Sequence, residues 1–233
     1  MHFIVTAGPT REYLDPVRFL SNPSTGRMGF AVARAARAAG HEVTLVAGPV
    51  ALRAPRGVRR VDVVSARDML AAVLGAIRSV KGPTALVMTA AVADWRPAAR
   101  AARKLKKAQM GGVLRLVPNP DILKTLERTL ARREKERLVR VGFAAETGDP
   151  TAEAARKCRE KGLDFVVAND VSRADSGFGV DTNRVDLVFP DGRIEKLPLM
   201  SKDAVARRIV RRIGDLVRIA DSGRTVGFNR INP

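Results

Sequence analysis

A chain of 233 residues with 45% hydrophobic and 28% charged side chains can bury a substantial core and is too apolar for a disordered polymer. Its one cysteine, Cys158, excludes an intramolecular disulfide and a Cys-rich metal centre. The net charge of +18 invites nucleic acid, but arginines outnumber lysines 32 to 10, as in a codon-composition bias, and aromatics at 4% leave few platforms for stacked bases.

Phe3 to Ala7 is an apolar β-rich run that ends at the breaker Gly8-Pro9. Met28 to Ala39 has helical spacing, with Val32, Ala33 and Ala36 on one side and arginines on the other, and Gly40 stops it. Glu42 to Ala47 is the next strand. Ser65 is placed to cap a helix carrying Met69, Val73 and Ile77, and Thr84 to Thr89 is a third strand. This alternation predicts an α/β fold, a Rossmann-like, doubly wound and mostly parallel sheet. Residues 96–112 carry no apolar period and read as a flexible lid loop. A short strand (Val113 to Val117), a helix through Ile122 and Leu130, and strands at Leu138 to Phe143 and Phe165 to Ala168 around a helix at 152–161 continue the pattern. Val185 to Phe189 and Arg193 to Leu197 form a C-terminal β-hairpin around Pro190-Asp191-Gly192. A last helix spans Lys202 to Val217. A single domain over 1–219 with a loose tail at 220–233 is expected.

The most apolar stretch, Ala85 to Ala93, contains Thr89 and ends at Asp94, so it does not span a bilayer. Phe3-Ile4-Val5 is too short for a signal peptide. A cytoplasmic protein that binds neither membrane nor nucleic acid is the expectation.

Ligands of open α/β sheets bind outside the carboxyl ends of the strands. At the first such end lies Gly8 to Gly29, whose Ser24-Thr25-Gly26 opens a helix. That start is either an anion site or simply an N-cap at Ser24 or Thr25. It is not a dinucleotide fingerprint, because seventeen residues from Pro9 to Thr25 separate the strand from the glycines, and no P-loop occurs. Asp94, after the third strand, is either a ligand acceptor or a turn cap. Lys104, Lys106 and Lys107 lie in the lid, where closure would bring charge to a phosphate. In Pro118-Asn119-Pro120-Asp121-Ile122, Asn119 reads as a helix cap or as part of a nucleotide-binding turn. Phe143 could face a flat ring. Lys157 and Lys161 share a helix face, as partners of Glu153 or as ligands of a triphosphate. Cys158 falls on the apolar side of that helix and reads as packing.

The segments GPTREYLDPVRFLSN, PSTGRMGFAVA, AAVADWRP, KLKK, NPDIL, VGFAAET, ARKCREKGLDFVVANDVS and FPDGRIEKLPLMSK, in this order, resemble the phosphopantothenate–cysteine ligase family. The resemblance implies ligation of 4'-phosphopantothenate to L-cysteine in coenzyme A biosynthesis, using CTP and Mg²⁺ and passing through an acyl-cytidylate. It implies nucleotide contacts from Asp94, Lys104, Asn119, Pro120, Asp121, Ile122, Phe143, Lys157 and Lys161. It assigns Asn22 to the acyl-cytidylate, Arg18 to the phosphopantothenate phosphate and Lys104 to charge stabilisation during acyl transfer. It further implies a homodimer, no flavin, and a phosphopantothenoylcysteine decarboxylase that is either a separate partner or the half to which this unit is usually fused. A Rossmann-type oxidoreductase and a basic nucleic-acid-binding module are the competing readings.

Overall fold

The computed structural model describes residues 1–106, 112–172 and 179–226. Lys107 and Gly111 of the lid and residues 227–233 of the tail lie outside the described residues.

The core is an eight-stranded sheet. Six strands run parallel: β1 (His2–Ala7), β4 (Glu42–Ala47), β5 (Arg59–Asp62), β6 (Thr84–Met88), β9 (Leu138–Glu146) and β10 (Phe165–Asp170). The predicted hairpin, β12 (Asp186–Val188) and β13 (Ile194–Lys196), adds two antiparallel strands beyond β10. The order β13-β12-β10-β9-β6-β1-β4-β5 places β1 inside the parallel set, with three parallel strands to one side and two to the other. From there the chain winds first towards β5 and then back through β6 towards β10. The reversal falls between β1 and β6, where their carboxyl ends splay into loops and an open α/β sheet offers its crevice.

Side-chain alternation along each strand sorts the core into two faces. Phe3, Val5 and Ala7 pack with α1 (Arg27–Ala38) and α6 (Lys202–Val226). Ile4, Val46 and Leu86 pack with α2 (Ala66–Ser79) and α3 (Ile122–Thr129). Ala144, Val166 and Ala168 meet α5 (Thr151–Glu160), and Cys158 is fully buried there, as its helical position predicts. Ser65 caps α2 as expected, within a capping box completed by Asp68.

Several expectations need correction. The last helix does not stop at Val217 but continues to Val226, through the first seven residues of the expected tail. The strand sought at Val113 to Val117 lies at β8 (Leu116–Pro118) and pairs antiparallel with β7 (Trp95–Pro97), so a ribbon ties the two ends of the lid region together. A second ribbon, β2 (Arg11–Tyr13) with β3 (Phe19–Ser21), fills the interval before α1, and it lies beside β7. These three-residue strands are too short to carry a readable period. Arg59–Asp62 escaped notice because only Val61 among its four residues is apolar. Two further short strands, β11 (Thr182–Asn183) and β14 (Met200–Ser201), pair with each other just before α6. The short α4 (Arg132–Glu136) is likewise additional.

Candidate functional site

The two loops at the reversal are laced together. Ala91 N–H donates to Gly8 O at 2.9 Å and Thr10 N–H to Ala91 O at 3.3 Å. Two fully buried threonines support them: Thr6 Oγ1 accepts from Ala90 N–H at 3.1 Å and Thr10 Oγ1 from Ala93 N–H at 3.0 Å. Two asparagines grip the same 90–94 loop. Asn22 Nδ2 donates to Ala91 O (3.2 Å) and Val92 O (3.3 Å), while Asn119 donates from Nδ2 to Ala93 O (2.8 Å) and from N–H to Asp94 O (2.7 Å). Asp94 is held at the rim by its backbone, with its carboxylate exposed.

A cavity of about 490 Å³ opens over this loop. Asn22 and Asp94 line it, as do Asn119 through Ile122 at the start of α3, Phe143 on β9, and Lys157 and Lys161 of the α5 region. Residues separated by well over a hundred positions in sequence thus meet at one place. Lys104 and Arg18 are not among the lining residues. Lys104 is exposed. Arg18 donates to Asp15 Oδ2 from Nε (2.9 Å) and Nη2 (2.5 Å), and to Leu105 O at 2.6 Å, so it anchors the lid's approach. Burial by itself would raise the Asp15 carboxyl. Hydrogen bonds from Val17 N–H, Arg18 and Leu105 N–H overcome that and hold it well below the usual carboxylate range.

The two helix starts at the cavity differ from expectation. Neither Ser24 nor Thr25 caps α1. The N-cap is Gly26, at φ 78° and with no side-chain cap. That left-handed conformation suits glycine, and the first N–H groups of α1 are left for a ligand. At α3 the cap is Asp121, not Asn119: its carboxylate accepts from Lys124 N–H at 3.1 Å. Lys161 Nζ lies 3.0 Å from the same carboxylate. Burial opposes ionisation of Asp121, but the Lys124 N–H and Lys161 outweigh it and lower its pKa. Lys157 reaches Glu153 at 3.6 Å, but its closer partner is Glu146 at 2.6 Å.

Three further lining residues went unnoticed in the sequence: Asn169, Asn183 and Lys202. All three are buried, at 7%, 4% and 7% exposure. Asn169 sits at the carboxyl end of β10 within the segment ANDVS, and that strand-end position was the available signal. Lys202 opens α6. Burial, and after it the charge of Arg27, depresses its pKa.

The chemistry available is charge neutralisation and alignment. Cys158 Sγ is buried against Leu163 O, and burial pushes its thiol up to about 11, which excludes a thiolate nucleophile. Among the described residues no three His, Cys, Asp or Glu side chains gather to hold a metal. A divalent cation here would draw on ligand phosphates and water beside the Asp94 and Asp121 carboxylates that line the cavity.

The model of the DNA/pantothenate metabolism flavoprotein C-terminal domain matches residues 1–216. The chain belongs to this family. It is 46% identical over 217 residues to the coenzyme A biosynthesis bifunctional protein CoaBC of Bacillus subtilis, covering 92% of this chain and 51% of that protein. It is 43% identical over 213 residues to the CoaBC of Escherichia coli, covering 90% and 50%. The chain thus spans about half the length of these relatives. The crystal structure of the C-terminal domain of CoaBC superposes with a TM-score of 0.76 at 39% identity, covering 93% of this chain and 95% of that one. No helix among the described residues is long and apolar enough to cross a membrane.

Proposed function

We propose that this domain is a phosphopantothenate–cysteine ligase of coenzyme A biosynthesis, and that it uses CTP. The observation that carries this reading is the convergence of Asp94, Asn119, Asp121, Phe143, Lys157 and Lys161 with Asn22 on one cavity at the sheet's reversal. Phe143 offers a face to the base. Lys157, Lys161 and the α1 start offer positive potential to phosphates, and Asn22 lies where a carboxylate activated on the nucleotide would sit. The phosphopantothenate carboxylate attacks the α-phosphorus and pyrophosphate leaves. The cysteine amine then attacks the acyl carbon, its proton is lost and CMP departs. Such a sequence needs alignment and charge compensation more than a strong base. A divalent cation bound with the triphosphate would supply charge neutralisation, with the Asp94 carboxylate at the cavity rim in place to hold it. The lysines and Asn22 are the chain's own contribution.

Lys104 and Arg18 act from outside the cavity in this reading. Lys104 enters with lid closure, and Arg18 meets the phosphopantothenate phosphate when a second copy docks. Phe19, Trp95 and Leu116, at 39%, 54% and 39% exposure, lie on the two neighbouring ribbons and form an apolar face suited to a homodimer. The domain is cytoplasmic and carries no flavin. The decarboxylation that follows belongs to a decarboxylase domain or partner.

The test combines phosphopantothenate, cysteine, Mg²⁺ and each of the four nucleoside triphosphates, and follows pyrophosphate and nucleoside monophosphate separately. CTP is expected to give both products in equal amounts. Lys104→Gln slows pyrophosphate release, whereas Asn22→Asp slows CMP release and lets the acyl-nucleotide accumulate. Absence of pyrophosphate release with every triphosphate in folded protein refutes the reading.

A further inference from the structure

Where α1 and α6 lie side by side on the sheet, a second cavity of about 630 Å³ runs between them as a groove. It shares no lining residue with the cavity at the sheet's reversal. Its floor is made of small side chains, Ala35 and Ala38 of α1 with Val210 and Gly214 of α6. Packing does not require the glycine. Gly214 stands inside α6 without a positive φ, and a β-carbon built on it would meet nothing within 4 Å. A glycine inside a helix is destabilising relative to alanine, so what Gly214 contributes is open space on the groove floor. The rim is basic. Asp203 is the one carboxylate among the lining residues, and Arg34 Nη2 takes it up at 2.5 Å. Arg207 and Arg211 also line the groove and are exposed, and neither makes an ion pair among the described residues. Four positions apart on one helix, they share a face at a spacing of about 6 Å along the axis. Basic residues are spread over the whole chain, but these two open onto one concavity, which focuses their field on an anion. The size of that concavity is that of a small-molecule site.

We propose that the α1–α6 groove binds a small dianion with an apolar body. Arg207 and Arg211 each take one acidic group in a guanidinium fork, and the body lies on the alanine and glycine floor beside them. The site stands apart from the ligase reading, because none of its residues takes part in that chemistry.

Adipate is the probe, two carboxylates on a short aliphatic body, titrated calorimetrically into the whole chain at low salt. Wild type is expected to bind it at least about tenfold more tightly than hexanoate, which lacks one charged contact. The double variant Arg207→Gln, Arg211→Gln is expected to lose about tenfold or more in adipate affinity. Arg132→Gln with Arg133→Gln removes the same charge from α4, outside the groove, and is expected to leave the Kd unchanged. Equal losses in the two double variants would mean that net charge alone attracts the anion, and would overturn the proposal. Gly214→Leu keeps both arginines and fills the floor, so it is expected to abolish binding. Retained affinity would put adipate on the exposed arginines rather than in the groove, and also overturns it. Should Gly214→Leu not fold, the two arginine pairs decide alone. Failure of wild type to bind adipate refutes the site. So does binding that weakens as protein concentration rises, which gives the groove to a second copy. Phosphatidylglycerol vesicles that sediment wild type but not the Arg207→Gln, Arg211→Gln variant would give the face to a membrane surface and refute it as well.

Discussion

At the scale of single residues, the fixed points are buried polar groups whose hydrogen bonds are complete. Asp15, fully buried, accepts from Val17 N–H at 2.8 Å and Arg18 N–H at 2.9 Å, besides the Arg18 guanidinium and Leu105 N–H. Its folded pKa lies below the ordinary aspartate value of 3.8. A depressed carboxyl contributes stability that is fully present above the unfolded value and is lost as pH falls through the folded one. Asp15→Asn is therefore expected to lower the Tm at pH 7, with the gap to wild type narrowing as pH drops below about 3.8. Thermal unfolding between pH 7 and pH 2 checks this, and a gap independent of pH would refute the assignment. The same residue shows where legibility ended. In LDPVRF, Arg18 reads only through the resemblance, as a ligand of the phosphopantothenate phosphate, and nothing singles out Asp15. The two pair locally, and Leu105, 90 positions away, bonds to both.

At the scale of elements, α1 is set by close approach. A β-carbon built on Gly29 would touch Thr89 Oγ1 and lie 2.6 Å from Ala7 Cβ and 2.8 Å from Thr6 O. Replacing glycine by alanine inside a helix gains about 1 kcal/mol from propensity. Overpacking costs about 1–3 kcal/mol or more, and here two of the three neighbours belong to the central strand and cannot swing aside. Gly29→Ala is thus expected to destabilise by roughly 1–2 kcal/mol net, seen as a lower urea midpoint at unchanged slope. An unchanged or higher midpoint would mean that α1 can retreat from β1. The long helices and central strands were legible because their apolar spacing persists over two turns or more. Ser65 was legible as a cap, but two others were not: Gly26 and Asp121 took the places expected of Ser24 or Thr25 and Asn119. A cap is decided by which polar side chain is left over once tertiary contacts are made. Asn119 was already engaged by Ala93 O.

At the scale of the whole molecule, the sheet order turns a list of loops into a site, and the two short ribbons beside it expose several apolar side chains. Phe19, Trp95 and Leu116 are half-exposed on adjoining ribbons, with Val113 at 84% and Leu114 at 42% exposure nearby. A homodimer through this face predicts a sedimenting mass of twice 25.2 kDa for wild type. Trp95→Glu, which places a charge in the patch, is expected to shift the population to monomer. A monomeric wild type at micromolar concentration would remove the homodimer and with it the role given to Arg18.

The α/β class, the central strands and the helices with their buried faces were determined by the sequence alone. Hydrophobic period and turn chemistry are local, and the ordered segments bore the family resemblance. Only the tertiary structure decided that Arg18 ties down the lid's approach, that α1 begins uncapped at Gly26, and that Lys202 and Asn169 face the same cavity as Asp94. Those facts depend on strand order. A sheet that reverses between β1 and β6 brings together chain segments whose separation hides any shared pattern, and the burial that gives Lys202 its character exists only once α1, β10 and α6 have met.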